Sequence, residues 1–324
     1  MASPIDSTDD AKRKEALAYF FKLQGRNLER CHGPSTECKE PAIRAHSIPS
    51  KSVLSQLSNN GHVVTPQLTL GATRTEFTAF GEVGVSKATT FTGLCANHDG
   101  TTFQPIDIST PDCSNQQHLS LMAYRAVLRE NHVVLEAAVR AQANYQKQVE
   151  LGLTAADPSS ELGRLATAWI ANAIESDEYK TLYDDIYLAK RWTELTHRVI
   201  NLDDQPPVMA VSSMFSLDEI PANETPRVVL TVIPHEGGTN VVFTSLPRDA
   251  EHVFRYLDPI LQAADCFQKY LLSKLVLQSC ENFVLRPNHF VQWPDPKKQA
   301  VLNYFARTIH YNDDSFDDPD LYLF

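Results

Sequence analysis

The spacing of apolar positions changes character several times along the chain, and each change marks a predicted element. Ala16, Leu17, Phe20 and Phe21 recur at helical spacing and the pattern stops at Gly25. This predicts a short helix behind a polar, acidic lead-in at 1–10 that is expected to be disordered. From 31 to 107 the periodicity gives way to Gly, Thr, Ser and Pro with short alternating runs, HVVTPQLTL and TEFTAFGEVGV, and the Asn60-Gly61 pair is a hairpin signal. From Gln116 a run with few breakers predicts a long helix or helical pair; a loop at 155–160 follows, then a second helical block from Glu161 to about Ile200. Trp169, Tyr183, Tyr187 and Trp192 fall on its apolar positions and read as core. VMAVSSMF, RVVLTVIP and NVVFTSLP predict strands, the last two facing each other across a turn at His235-Glu236-Gly237-Gly238. Residues 248–280 are helical again, and a loop-rich close begins at Cys280.

These elements predict an α+β protein: a compact module at 11–112, then a mainly α-helical region with a small antiparallel sheet at 113–311, and an acidic tail at 312–324. A chain of 324 residues can bury a sizeable core. It has no apolar run long enough for a transmembrane helix and no secretory leader, so a cytoplasmic protein with no membrane partner is expected. Six cysteines are too sparse for a disulfide framework. Cys266 and Cys280 lie in apolar helical sequence and read as small buried thiols, and Cys113 reads as a loop cysteine.

The net charge of −11 opposes nucleic-acid binding by the surface as a whole, yet residues 11–51 hold nine Lys or Arg against four acids. Lys12, Arg13, Lys14, Arg26, Arg30, Arg44 and Lys51 are therefore candidate nucleic-acid contacts; a solvated helix face is the alternative. The tail places Asp313, Asp314, Asp317, Asp318 and Asp320 before Leu-Tyr-Leu-Phe. It reads as a solvated end, or as a segment that covers the 11–51 face while its last residues anchor in an apolar pocket.

The chemistry concentrates in four residues. Cys31 and Cys38 bracket a turn containing Gly and Pro, and Cys95-Ala-Asn-His98 is a C-x2-H knuckle entering a predicted helix. Zinc favours such tetrahedral sulfur and nitrogen sets, paired from two short loops, so Cys31, Cys38, Cys95 and His98 are the candidate ligands of one structural Zn²⁺. His32 is a competing ligand.

Between the two loops lies Arg44-Ala45-His46-Ser47-Ile48-Pro49, and Asp99 follows the second. A first cysteine pair, a strand ending in His-x-Ile-Pro, and a second pair followed at once by a possible metal ligand resemble the HNH (ββα-metal, treble-clef) nuclease fold. The wider pattern of C-x6-C, AHSI and TFTGLCxxHD is similar to that of a largely uncharacterised bacterial family. The resemblance implies that His46 is a general base, that Asp99 binds a catalytic Mg²⁺ or Mn²⁺, and that Thr90 stands where the fold carries an Asn that orients the base. A Thr has no amide for that task, and Asn59 or Asn60 is the candidate substitute. The gap from His46 to Cys95 also requires an insertion at about 52–85 to loop out of the finger.

Two functions follow as expectations. One is a metal-dependent DNA endonuclease, in bacterial antiviral defence and regulated by the C-terminal region. The other is a non-catalytic zinc-stabilised adaptor for nucleic acid or protein, in which His46 only packs. A protein partner or a second copy is expected to dock through the C-terminal region. No P-loop, dinucleotide, serine-hydrolase or zincin motif is present.

Overall fold

The computed structural model describes residues 7–23, 30–34, 37–70, 76–203, 206–217, 225–235, 237–311, 313–315 and 317–324. It is an α+β protein with antiparallel sheets. Two short strands, β1 (Arg44–His46) and β4 (Thr90–Thr92), pair antiparallel with His46 opposite Thr90. Helix α3 (Ala96–Asp107) follows directly, giving a local ββα order. Helix α1 (Ser7–Lys22) begins within what was expected to be lead-in and packs on α4 (Gln116–Glu150).

The expected small sheet is a seven-stranded one, ordered β3-β2-β9-β6-β7-β8-β5. Its strands are β2 (His62–Leu70), β3 (Glu76–Gly84), β5 (Thr196–Leu202), β6 (Met209–Ser216), β7 (Arg227–His235), β8 (Gly238–Ser245) and β9 (Phe283–Leu285). The 52–85 insertion does loop out of the two-stranded finger, since β2 and β3 pair with neither β1 nor β4. After a turn of π-helix (Ser50–Leu54) and the short α2 (Ser55–Leu57), it forms a hairpin that adds two strands to the C-terminal sheet through β9. The hairpin is entered through Asn60 and Gly61, both at positive φ (48° and 75°), and Asn59 and His62 exchange both backbone hydrogen bonds across this two-residue turn. A boundary at 113 therefore does not separate two independent sheets.

Both faces of the sheet are covered, which explains the nearly unbroken apolar run of β7. Val229 and Ile233 point into a core shared with α4, α5 (Glu161–Leu188), α3 and the cysteine loops; Val228, Leu230 and Val232 point into a second core. That second core is closed by α6 (Ala250–Leu261), α7 (Asp265–Ser279), α8 (Pro287–Val291) and α9 (Asp295–Tyr311).

Several expectations are corrected. The helical block from Glu161 ends at Leu188, where Lys190 takes a φ of 54°, and the Thr- and Val-bearing segment after it pairs as β5 with β8. The 248–280 block breaks at 262–264. The closing segment is mostly helix, since α9 alone spans 17 residues. Cys280 is buried as expected, whereas Cys266 is exposed on α7.

The tail is held, and not by the 11–51 segment. Leu321 and Leu323 are fully buried in the second core and Phe324 nearly so. Asp317 pairs with Lys274 at 3.0 Å, Gln278 donates to Asp314 at 3.0 Å, and Arg307 binds Asp313. These partners lie on α7 and α9.

Candidate metal centre and adjoining cleft

Cys31, Cys38, Cys95 and His98 converge so that their ligand atoms all lie within 4.8 Å of one another. Cys31 Sγ is 3.2 Å from His98 Nδ1, Cys95 Sγ is 3.5 Å from the same nitrogen, and the Cys38 and Cys95 sulfurs are 3.9 Å apart. A tetrahedral zinc with its usual bond lengths separates its ligands by about 3.5–3.8 Å. The four residues thus fit one metal ion, and three sulfurs with one imidazole suit zinc.

The local fold explains the convergence. The His32 amide donates to the Gly93 carbonyl at 2.8 Å and the Ile43 amide to Leu94 at 2.7 Å, stitching the first loop to the strand that ends at the knuckle. Cys95 is the N-cap of α3; its sulfur accepts from the His98 amide at 3.5 Å, and its own amide donates to Cys31 Sγ at 3.2 Å. Burial raises the Cys95 thiol, but hydrogen bonds from the His98 and Asn97 amides and from the Cys31 and Cys38 side chains outweigh it and bring the thiol below the usual range. Burial pushes Cys31 up to about 11, so Cys95 is the first of this pair to ionise. Gly33 is required by contact: a Cβ there would lie 2.8 Å from His98 Nδ1. His32 stays outside the cluster, and its Nε2 is enclosed with no hydrogen-bond partner.

Beside this centre lies a cleft of about 790 Å³ whose lining includes Arg44, His46, Lys51, Asp99, Asp107 and Arg125. His46 Nε2 donates to the Val85 carbonyl at 2.9 Å. This fixes the ring and, in the neutral imidazole, leaves Nδ1 as the acceptor nitrogen. Asp99 lies in the first turn of α3, and burial raises its carboxyl, opposed by the charges of Arg125 and His46 and reinforced by Asp107. No protein-family model, curated protein or solved structure matches the chain.

His46 and Asp99 share one cleft, next to the thiol cluster and not within it. Thr90 does not line it; its hydroxyl donates to the Lys87 carbonyl at 3.0 Å. Nor do the amides of Asn59 or Asn60 orient His46: Asn59 donates to Asn288 at 2.8 Å, and the backbone of Val85 serves His46 instead. Of the basic set, Arg44 and Lys51 reach the cleft. Lys12, Arg13 and Lys14 lie on α1 against α4, Arg30 lines a different groove, and Arg26 lies outside the described residues.

Arg125 and Asp107 had not been singled out from sequence. Arg125 Nη1 and Nη2 donate to the two Asp107 carboxylate oxygens, both at 2.7 Å, and the guanidinium stacks 4.0 Å over Phe103. The available signal was one arginine inside the otherwise apolar run Leu-Met-Ala-Tyr-Arg-Ala-Val-Leu of α4. Such an arginine must find a partner when its helix is buried. Ser47, next to His46, donates to Thr89 at 2.8 Å and accepts from the buried Asn282 at 2.8 Å, which ties the cleft to β6 and β9.

Proposed function

We propose that the chain is a metal-dependent phosphodiester hydrolase of the HNH nuclease type, with Zn²⁺ at Cys31, Cys38, Cys95 and His98 as a structural ion. The observation that carries the reading is His46. Its Nε2–H is held by the Val85 carbonyl, its other nitrogen is available, and a carboxylate, Asp99, lines the same cleft. The arrangement suits a general base that takes a proton from the attacking water through Nδ1. Val85 keeps the ring in the required tautomer and so takes the part for which an Asn was expected. Asp99 is the residue that would hold Mg²⁺ or Mn²⁺, which when bound neutralises charge on the phosphate and on the leaving 3′-oxygen. Arg44 and Lys51 supply positive charge for a DNA backbone at the cleft.

The adaptor reading retains one supporting observation: the second carboxylate of the cleft, Asp107, is already engaged by both Nη atoms of Arg125. That leaves few side chains to complete a cation site. Among the described residues no helix is long and apolar enough to cross a membrane.

The test is plasmid nicking with Mg²⁺ or Mn²⁺ by wild-type protein, His46→Ala and Asp99→Asn, with zinc content measured on each. Cleavage by wild type, its loss in both variants and retention of zinc are expected. His46→Ala cutting at the wild-type rate would refute the assignment of the base. DNA binding without cutting by any form would leave the adaptor.

A further inference from the structure

We propose that the groove between α4 and α5, on the side of the cysteine loop, is a binding site for a small organic cation with an aromatic or branched apolar body. The inference does not depend on nuclease activity.

The groove encloses about 720 Å³, a volume typical of small-molecule sites, and it is separate from the cleft that holds His46. Its walls are aliphatic. Val139, Ile170, Ile174 and Leu188 line it and are 52%, 39%, 56% and 59% exposed. Helices that bury their apolar faces elsewhere in this fold leave these four side chains facing solvent together. A cluster of exposed large aliphatic side chains in one concavity marks a site for a ligand more often than chance exposure does.

Charge selects the ligand. At the floor, Lys180 and Asp184 pair at 2.6 Å, and the Tyr124 hydroxyl donates to the other Asp184 oxygen at 2.6 Å, so that carboxylate is internally compensated. Apart from that pair, the described lining carries Asp177, Glu178 and Asp185 against one cation, Arg30, an excess of negative charge. An anionic ligand would be repelled there and a cationic head attracted. His32 lines the same groove, on the loop that carries Arg30. An apolar body between α4 and α5 with its cationic group toward the acidic side chains would satisfy each of these features.

The site also borders the metal centre. Cys31, Gly33 and Pro34 line it, so an occupant would brace the loop that supplies two of the four ligands.

Three naphthalene probes of one shape separate the contributions: naphthalen-1-ylmethylammonium, naphthalen-1-ylmethanol and naphthalene-1-carboxylate, titrated into the full zinc-loaded chain by ligand-observed NMR and calorimetry. The ammonium is expected to bind one per chain, about tenfold more tightly than the carboxylate at low salt, with the alcohol between them. Ile174→Arg and Val139→Arg, both at exposed positions, should abolish binding, while Leu165→Arg, exposed on the same helix but outside the lining, should not. Glu178→Gln with Asp185→Asn should bring the ammonium and carboxylate to within about threefold while leaving the alcohol unchanged. Equal or tighter binding of the carboxylate to wild type, binding that survives both arginine variants, or no binding of any probe would overturn the proposal. None of these readouts uses nucleic acid, so failure of the nuclease assignment cannot mimic them.

Discussion

Gly33→Ala isolates the metal centre with a single methyl group. Gly33 is not at a positive φ, so an alanine there carries no backbone penalty of the left-handed kind, and its effect is steric. The new Cβ would sit 2.8 Å from His98 Nδ1, where ordinary contact begins at 3.4 Å. The ring or the loop must therefore give way by about 0.6 Å. That exceeds the roughly 0.2 Å latitude of a zinc–ligand bond, and the atom displaced is the ligand itself. Disturbance of a ligand's immediate support typically weakens metal binding by about 10- to 100-fold, or roughly 1.4–2.7 kcal/mol. Because Cys31 and Cys95 belong to the same core as α3 and α4, the loss should appear as lower thermal stability as well. Gly100→Ala is the matched control. It lies within α3, a Cβ there meets nothing within 4 Å, and removal of a helical glycine should stabilise by about 0.5–1 kcal/mol. The assay is competition for zinc against a chromophoric chelator, with melting temperature read in parallel. Unchanged zinc affinity and melting temperature in Gly33→Ala would refute the assignment of His98 Nδ1 as a ligand.

Two further outcomes are expected away from the centre. Leu323→Ala removes a fully buried side chain whose backbone amide donates to Ser273 at 2.9 Å, and should destabilise by about 2–5 kcal/mol in chemical denaturation; a change below about 0.5 kcal/mol would mean the tail is not docked in solution. His197, on β5, is held neutral by burial, with its pKa lowered from 6.5 to about 4. Its depressed folded value means that the unfolded chain takes up a proton first, so stability falls as pH drops from 6.5 toward 4. In His197→Gln that part of the acid sensitivity should vanish, measured as denaturation midpoints at pH 7.5 and 5.0; equal pH dependence in both proteins would contradict the burial argument.

What the chain reveals without its fold is what is encoded over short distances. The apolar run of β7, the two-residue turn at Asn60-Gly61, the breaks that bound α4, and the Cys-x6-Cys and Cys-x2-His loops each carry their signal within a few residues. For the candidate metal centre local pattern went furthest, because metal ligation demands particular side chains at particular spacings and the fold brings all four together. The cleft was only half legible. His46 and Asp99 were reached through the resemblance to the HNH fold, but Val85 bonds His46 through a carbonyl that every residue possesses, and nothing in its side chain announces that contact. Arg125 and Asp107 form a pair only because α3 and α4 cross.

The long-range features have the same origin. A strand of three residues such as β9 is too short to show a period, and it exists because β2 and β6 flank it with unpaired backbone. That insertion of β9 draws the 62–84 hairpin into the C-terminal sheet and joins two regions that composition had separated. Likewise the acidic tail is defined by its charge in sequence, but Leu321, Leu323 and Phe324 dominate in the fold, where they are buried in the second core. Local pattern determines which segments can be helix, strand or ligand loop. Which strands meet, which carbonyl faces which imidazole and which charges must pair are set by long-range packing, and only the tertiary structure decides them.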